Sequence, residues 1–221
     1  MSRIARIVIP DIPHHVTQRG NRGLQTFFSD EDYRLYIRLL ARACKQAGTG
    51  IWGYCLMPNH VHLIMVPRHA DGLRAGLGEA HRRYAQHINQ RENWRGHLWQ
   101  ERFSSFPMDE THLASAARYV ELNPVRAKLA ATPQKWSWSS ARAHLEGRDD
   151  ELCIVAPLLQ RYGDWQAMLS AGLDTERHEE IQRHARSGRP LGPVSFLDRL
   201  EGSLGRAVRH QKRGPRPKPD K

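Results

Sequence analysis

The chain has 221 residues, 39% hydrophobic and 26% charged, which is apolar enough for a packed core and excludes a wholly disordered chain. Lys plus Arg number 34 against 23 Asp plus Glu, a formal net charge of +11. The excess is uneven: residues 1–139 carry 19 basic and 11 acidic residues, residues 140–182 carry 4 and 9, and residues 183–221 carry 11 and 3. Two positive blocks around an acidic one call for a polyanionic partner, nucleic acid first, with a solvated surface or ribosome association as the other readings.

In chain order, His15-Val16-Thr17-Gln18-Arg19 reads as a strand that ends at Gly20-Asn21. Ser29 with Asp32 three residues on has the form of a helix-starting cap. The stripe Tyr33, Tyr36, Ile37, Leu40, Cys44 then recurs at helical spacing, and Gly48 closes the helix. Ile51 to Met57 predicts a strand, Pro58-Asn59 a turn, and His60 to Val66 the hairpin partner. Asp71 opens a second helix with Leu73, Leu77, Ala80, Tyr84 and Ile88 on one side, and Leu98 to Phe106 predicts a further strand ended by Pro107. Asp109 caps a third helix reaching about Leu122, and Asn123-Pro124 ends it, because the residue before a proline avoids helical geometry. From about Trp136 the pattern becomes short and helical.

This order predicts an α+β chain, a ferredoxin-like antiparallel sheet with helices on one face. Residues 1–135 would form the main domain and 136–205 a helical extension. Residues 206–221, basic, rich in proline and without apolar periodicity, would form a disordered tail. No apolar run approaches the roughly 20 residues that span a bilayer, and no signal-peptide core opens the chain. Cys44, Cys55 and Cys153, with no Cys-x-x-Cys pair, suggest reduced thiols in a cytoplasm.

The residues richest in chemistry are His60-Val61-His62. On a strand both imidazoles project to one face, so they can chelate one divalent ion or stand as a pair of half-buried surface histidines. On the third helix, Leu113, Ala117 and Val120 form the apolar stripe, while His112, Ala116, Tyr119 and Asn123 fall on a line about 100° away. Tyr119 and Asn123 are then stacked neighbours. Singly, Tyr119 also fits a helix–sheet boundary, and Asn123 a helix C-terminal cap. Together the pieces suit phosphodiester cleavage. A phenol with a pKa of about 10 is a poor nucleophile unless a divalent ion makes the phosphorus more electrophilic, and attack by tyrosine conserves the bond for rejoining.

Cys55-Leu56-Met57-Pro58-Asn59-His60-Val61-His62-Leu63-Ile64, followed by Ala117-Arg118-Tyr119-Val120-Glu121-Leu122-Asn123-Pro124-Val125-Arg126-Ala127, resembles the single-tyrosine transposases of the HUH superfamily. His15 to Asn21, Leu98-Trp99-Gln100, Arg102-Phe103, Trp138-Ser139-Ser140 and Gly188-Arg189-Pro190-Leu191-Gly192 are similar to one branch, the bacterial REP-associated tyrosine transposases. The resemblance implies the HUH fold, Mg²⁺ or Mn²⁺ on His60 and His62, and attack by Tyr119 on single-stranded DNA to leave a 5′-phosphotyrosine and a free 3′-OH. Asn123 takes the place of a metal-binding glutamine in mobile relatives. The implied substrate is hairpin-forming, REP-like DNA, cut by a cytoplasmic, nucleoid-associated monomer or homodimer with a domesticated role. A hairpin-binding or regulatory protein without the chemistry is the alternative. A histidine-triad hydrolase is excluded because its third position is Ile64, and a pair of His-x-Thr motifs is excluded because His15-Val16-Thr17 stands alone.

Arg19, Arg22, Arg82, Arg83, Arg95 and Arg102 are the candidate phosphate contacts, with a solvated helix face as the equal reading of Arg82 and Arg83; Trp94, Trp99 and Phe103 are candidates for stacking on unpaired bases, with core packing as the equal reading of Trp99 and Phe103. Arg209, Lys212 and Arg213 belong to the basic tail, which resembles an arm that orders on DNA.

Overall fold

Four strands, β1 (His14–Arg19), β2 (Thr49–Met57), β3 (His60–Pro67) and β4 (Ser104–Pro107), lie in the order β2-β3-β1-β4, with every neighbouring pair antiparallel. Helices α1 (Asp30–Gln46) and α2 (Gly72–Arg91) make the crossovers, and α3 (Glu110–Arg126) follows the last strand. This is the ferredoxin-like α+β arrangement expected from the chain order. The computed structural model describes residues 5–172 and 175–209.

Strand alternation sends Val61, Leu63 and Met65 to one face, where Val16 and Leu56 join the apolar stripes of α1 and α2, including Tyr33, Tyr36, Leu77 and Tyr84. His60, His62 and Ile64 point the other way. Helices are predicted on one face only, and this holds for α1 and α2. Helix α3 packs on the opposite face, its Leu113, Ala116, Ala117 and Val120 against Cys55, Met57, Ile64 and Phe106. The reason is that both faces of the sheet carry apolar side chains and must be covered.

Two further expectations change. The predicted strand Leu98–Phe106 is reduced to Ser104–Pro107, because Glu101 adopts a positive φ of 56° and Trp99 makes only a single bridge to Gly20. Helix α3 runs through Asn123 and Pro124 instead of stopping before them. The proline forfeits one hydrogen bond, yet Ala127 N–H still reaches Asn123 O at 2.9 Å and Leu129 N–H reaches Pro124 O at 2.8 Å.

After α3 come α4 (Ala141–Glu146), α5 (Ala156–Tyr162), α6 (Trp165–Ser170), α7 (Thr175–Ser187) and α8 (Val194–Leu204). Residues 136–140 run along the outer edge of β2: Leu56 N–H donates to Trp138 O at 2.8 Å, and Trp136 Nε1–H to Leu56 O at 3.0 Å. This covers an edge strand that would otherwise expose unpaired backbone groups. Part of the predicted disordered tail is also docked. Val208 is buried with Ile7, Phe196 and Leu200, because residues 5–9 and α8 form a small third apolar cluster that needs a lid. No helix among the described residues is long and apolar enough to cross a membrane.

Two buried histidines outside the His60–His62 face set a pH limit on the fold. His14 donates from Nδ1 to Ile12 O (2.7 Å) and accepts the Ile9 N–H at Nε2 (3.2 Å), so its neutral form is fully satisfied. Burial pushes its pKa down to about 4, against a smaller raising effect of the Ile12 carbonyl, and pushes that of His81 down to about 3. Both pKa values lie below that of a free imidazole, so the unfolded chain binds more protons as pH falls. The stability they contribute is complete above about pH 6.5 and is lost progressively toward pH 4. Urea denaturation should therefore show a lower midpoint at pH 5 than at pH 7, corresponding to an unfolding free energy smaller by about 1–2 kcal/mol per histidine. Equal midpoints would contradict it.

Candidate active site

The site begins with a turn. Asn59, between β2 and β3, donates from Nδ2 to Gly23 O (2.9 Å) and accepts His60 Nδ1–H at Oδ1 (2.6 Å). It thereby ties the hairpin to the 3₁₀ turn after β1 and orients the first histidine. Gly20 opens that turn, and a Cβ there would lie 2.2 Å from Leu24 O, so no larger residue fits. His62, two residues along β3, meets His15 of β1 through Nδ1–Nε2 contact at 3.2 Å, and the two rings stack at 5.3 Å. The His60 and His62 rings are 4.8 Å apart, edge to face.

Tyr119 comes to this face from α3. Its ring centroid is 5.2 Å from His62, 5.6 Å from His15 and 5.0 Å from His178 of α7. Only 7% of the residue is exposed; it belongs to the apolar cluster that also holds Ile64, Phe106 and Ala116, and three imidazoles stand against its ring. The line His112-Ala116-Tyr119-Asn123 is thus a second packed face of α3, closed over by α7. Asn123 and Gln182 both hydrogen-bond the Tyr119 side chain. Gln182 also contacts His178 Nε2 at 2.9 Å.

Electrostatics keep every ring here neutral at neutral pH. His60 is pushed down to about 4, mainly by burial and secondarily by the Arg19 charge. Burial takes His15 to about 3 and His62 well below the usual imidazole range, helped for His62 by the neighbouring histidines. His178 is also lowered, by burial and then by Arg126. Burial raises the Tyr119 phenol, an effect partly offset by its hydrogen bonds with Asn123 and Gln182 and by Arg126. Neutral imidazoles can offer lone pairs to a cation. Nδ1 of both His60 and His62 is committed to a neighbour, which leaves Nε2 as the atom that a cation would use, and a partner on Nδ1 is the usual support for a ligand histidine. The donor set therefore fits a divalent ion, whose remaining positions would be filled from outside the protein. Among the described residues no group of three or more His, Cys, Asp or Glu side chains converges as a complete metal site.

Of the residues singled out in the sequence, His60, His62, Tyr119 and Asn123 are brought together. Arg19, paired across the sheet with His60, and Arg22 in the adjoining turn lie next to them. Others are elsewhere. Arg82 and Arg83 project from the solvent side of α2, on the opposite face of the sheet, and both pair with Glu79. Helical periodicity gives Leu77, Ala80 and Tyr84 to the core and turns those two arginines outward. Trp99 is not a base-stacking residue: it is 8% exposed and packs with Tyr36, His81 and Tyr84. Phe103 is likewise buried, beneath the Arg6 guanidinium. Trp94, 48% exposed and edge-on to Phe28, is the available aromatic, with Arg95 exposed beside it. Arg209 is bound by Asp198 and Glu201, which neutralise it. Lys212 and Arg213 lie outside the described residues. Arg102 is exposed at the rim of a cavity next to β1.

His15, His178, Gln182 and Arg126 were not singled out as site residues. His15 could have been found from its register opposite the hairpin. No local signal marks His178 and Gln182, which reach the site only because α7 folds back over it.

Residues 13–123 match the family model described as "Transposase IS200 like". No curated protein matches the chain. Among solved structures, a REP-associated tyrosine transposase bound to a REP hairpin is 19% identical with a TM-score of 0.57, covering 68% of this chain and 90% of that one. A putative transposase from Deinococcus radiodurans is 23% identical with a TM-score of 0.38, covering 54% and 96%.

Proposed function

Because the chain belongs to the IS200-like transposase family, we propose that it is a divalent-metal-dependent DNA nickase and strand transferase of the REP-associated kind, acting on hairpin-forming single-stranded DNA through Tyr119. The observation that carries this is the position of the Tyr119 phenol against His62, 5.2 Å between rings, on the strand face that also bears His60. The substrate class follows the solved relative, which holds a REP hairpin.

Each side chain has a part. His60 and His62 would hold Mg²⁺ or Mn²⁺ through Nε2, and when bound the ion neutralises charge on the scissile phosphate. Asn123 and Gln182 hold the phenolic oxygen in place, which reduces the rotational freedom lost on reaching the transition state. The Tyr119 oxygen attacks phosphorus, the P–O3′ bond breaks, and a 5′-phosphotyrosine and a free 3′-OH result. The phenol sheds its proton on the way, and the proton balance closes on the departing 3′ oxygen. Reversal by another 3′-OH rejoins strands without an external energy source.

The test is to incubate the protein with end-labelled hairpin DNA carrying unpaired flanks, with Mn²⁺ and with a chelator. A covalent protein–DNA band resistant to denaturant is expected with the metal and absent without it. Tight hairpin binding with no covalent band under either condition would replace this function with that of a non-catalytic hairpin-binding protein.

A further inference from the structure

Helix α7 is fixed to the sheet by residues other than His178. Ile181, 1% exposed, is its apolar anchor, in the cluster that holds Ile64, Phe106 and Leu113. The Ser104 hydroxyl donates to Ala185 O near the other end of the helix. His178 stands one turn before Gln182, with its ring 5.0 Å from that of Tyr119 and tilted by 38°. An imidazole carries polar nitrogens on both edges and is costly to cover when either lacks a partner. Packing therefore gives no account of why a histidine faces the nucleophile here.

The hydrogen bonds fix where its proton is. The Gln182 amide nitrogen lies 2.9 Å from His178 Nε2. An amide nitrogen only donates, so Nε2 accepts, and the single proton of the neutral ring stands on Nδ1. Gln182 also bonds the Tyr119 phenol in the sense that favours the ionised oxygen, as a donated hydrogen bond does. One amide group with two hydrogens thus spans the histidine and the nucleophile. The Nδ1–H on the other edge of the ring is buried and has no partner in the protein. Nearly all buried donors are paired, and an unpaired one costs about 1–3 kcal/mol. Tyr119 is itself only 7% exposed, so a phosphate reaches the phenol by displacing what covers it. The cover includes α7, and the displacement that admits the phosphate uncovers Nδ1 as well.

We infer that His178 is a further catalytic residue: its Nδ1–H donates to a non-bridging oxygen of the phosphate as that phosphate becomes bonded to Tyr119. The donor gains its partner only when phosphorus joins the phenol. Its contribution therefore goes to the transition state and the covalent adduct, and not to holding the strand. The imidazole moves no proton in this role. Gln182 keeps Nε2 engaged, the ring stays neutral, and the proton balance of the cleavage is untouched. An N–H has no lone pair for a cation, which separates His178 from the β3 histidines and assigns it to the phosphate. The role rests on the proposed attack by Tyr119, and it names a second group that acts on the same phosphate.

The test separates the two ring nitrogens. Asparagine places an amide N–H close to the Nδ1 position, and glutamine places its amide oxygen close to the Nε2 position. Single-turnover adduct formation with hairpin DNA and Mn²⁺ is compared for the parent, His178→Ala, His178→Asn and His178→Gln, with hairpin affinity and thermal unfolding measured on each. His178→Ala should slow the adduct about a hundredfold at unchanged affinity and melting temperature. His178→Asn should recover to within about tenfold of the parent. Recovery by glutamine and not by asparagine would show that His178 acts only through Gln182, and would overturn the contact with phosphate. So would an alanine variant as fast as the parent, or one whose loss is matched by its loss of hairpin affinity. Nitrogen NMR of histidine-labelled protein, with neither metal nor DNA, gives a readout independent of activity. The signal that disappears in His178→Ala should report a proton on Nδ1, and a proton on Nε2 would overturn the inference. Absence of any adduct with the parent protein would instead overturn the nickase reading, and the role of His178 would fall with it.

Discussion

Tyr119→Phe is expected to lower covalent capture of hairpin DNA by about a thousandfold or more, to background, while hairpin affinity and thermal stability stay close to those of the parent. The size of the loss follows from the role: without the phenolic oxygen no other hydroxyl occupies that point, and removing a covalent nucleophile costs most of the chemical rate enhancement. The benign effect on the fold follows from the packing. The edge-to-face contacts with His15, His62 and His178 involve the ring and survive. The lost hydrogen bonds run to Asn123 and Gln182, both only partly buried and able to turn to water, so the cost is about 1 kcal/mol. Gln182→Ala provides the graded companion. It keeps the nucleophile and loosens its hold, so the rate of adduct formation should fall about tenfold, with hairpin affinity unchanged. Persistence of the adduct in the Tyr119→Phe protein would remove Tyr119 from its role.

Glu121→Ala is expected to cost about 3–5 kcal/mol of folding stability, a fall in melting temperature of about 10 °C. Glu121 is 1% exposed and accepts three hydrogen bonds: Ser140 Oγ–H at 2.6 Å, His144 Nδ1–H at 2.6 Å and Trp165 Nε1–H at 2.7 Å. Truncation leaves three buried donors. Ser140 alone has another acceptor near, Tyr54 O at 3.3 Å. His144 stacks on Trp165 at 4.2 Å and has nowhere to turn. Because these partners belong to the segments after α3, the loss should free α4 and α6 from α3 before the sheet itself opens. Hydrogen exchange can follow this, with the α4 and α6 amides accelerating most. Glu121→Gln, which keeps one acceptor oxygen, should cost less than the alanine. A loss under about 1 kcal/mol for the alanine variant would show the network to be incidental.

Those two residues sit two positions apart on one helix, and they divide the problem of reading this chain. Tyr119 was legible because it lies off the apolar stripe, one turn before Asn123, in a chain that also carries two histidines a pleat apart. Glu121 was legible only as part of a motif, since its three donors come from positions 140, 144 and 165. Trp99 was left open between base stacking and core packing for the same reason in reverse. Its aromatic neighbourhood of Tyr36, His81 and Tyr84 is assembled from two helices, and an isolated tryptophan in a basic stretch gives no sign of it. Arg82 and Arg83 contribute to charge in the composition, yet α2 carries them to the face away from the histidines.

By itself the sequence determined what local periodicity and short-range geometry control. That includes the alternation of helices and strands, the shared face of His60 and His62, the nearness of Tyr119 to Asn123, and a cationic excess suited to a polyanionic partner. Only the tertiary structure decided which elements share a face of the sheet. It placed α3 opposite α1 and α2, shortened the last strand and folded α7 over the phenol to bring in His178 and Gln182. Pairings between residues tens of positions apart depend on the burial of whole surfaces, and that information is spread over the entire chain and carried by no single stretch of it.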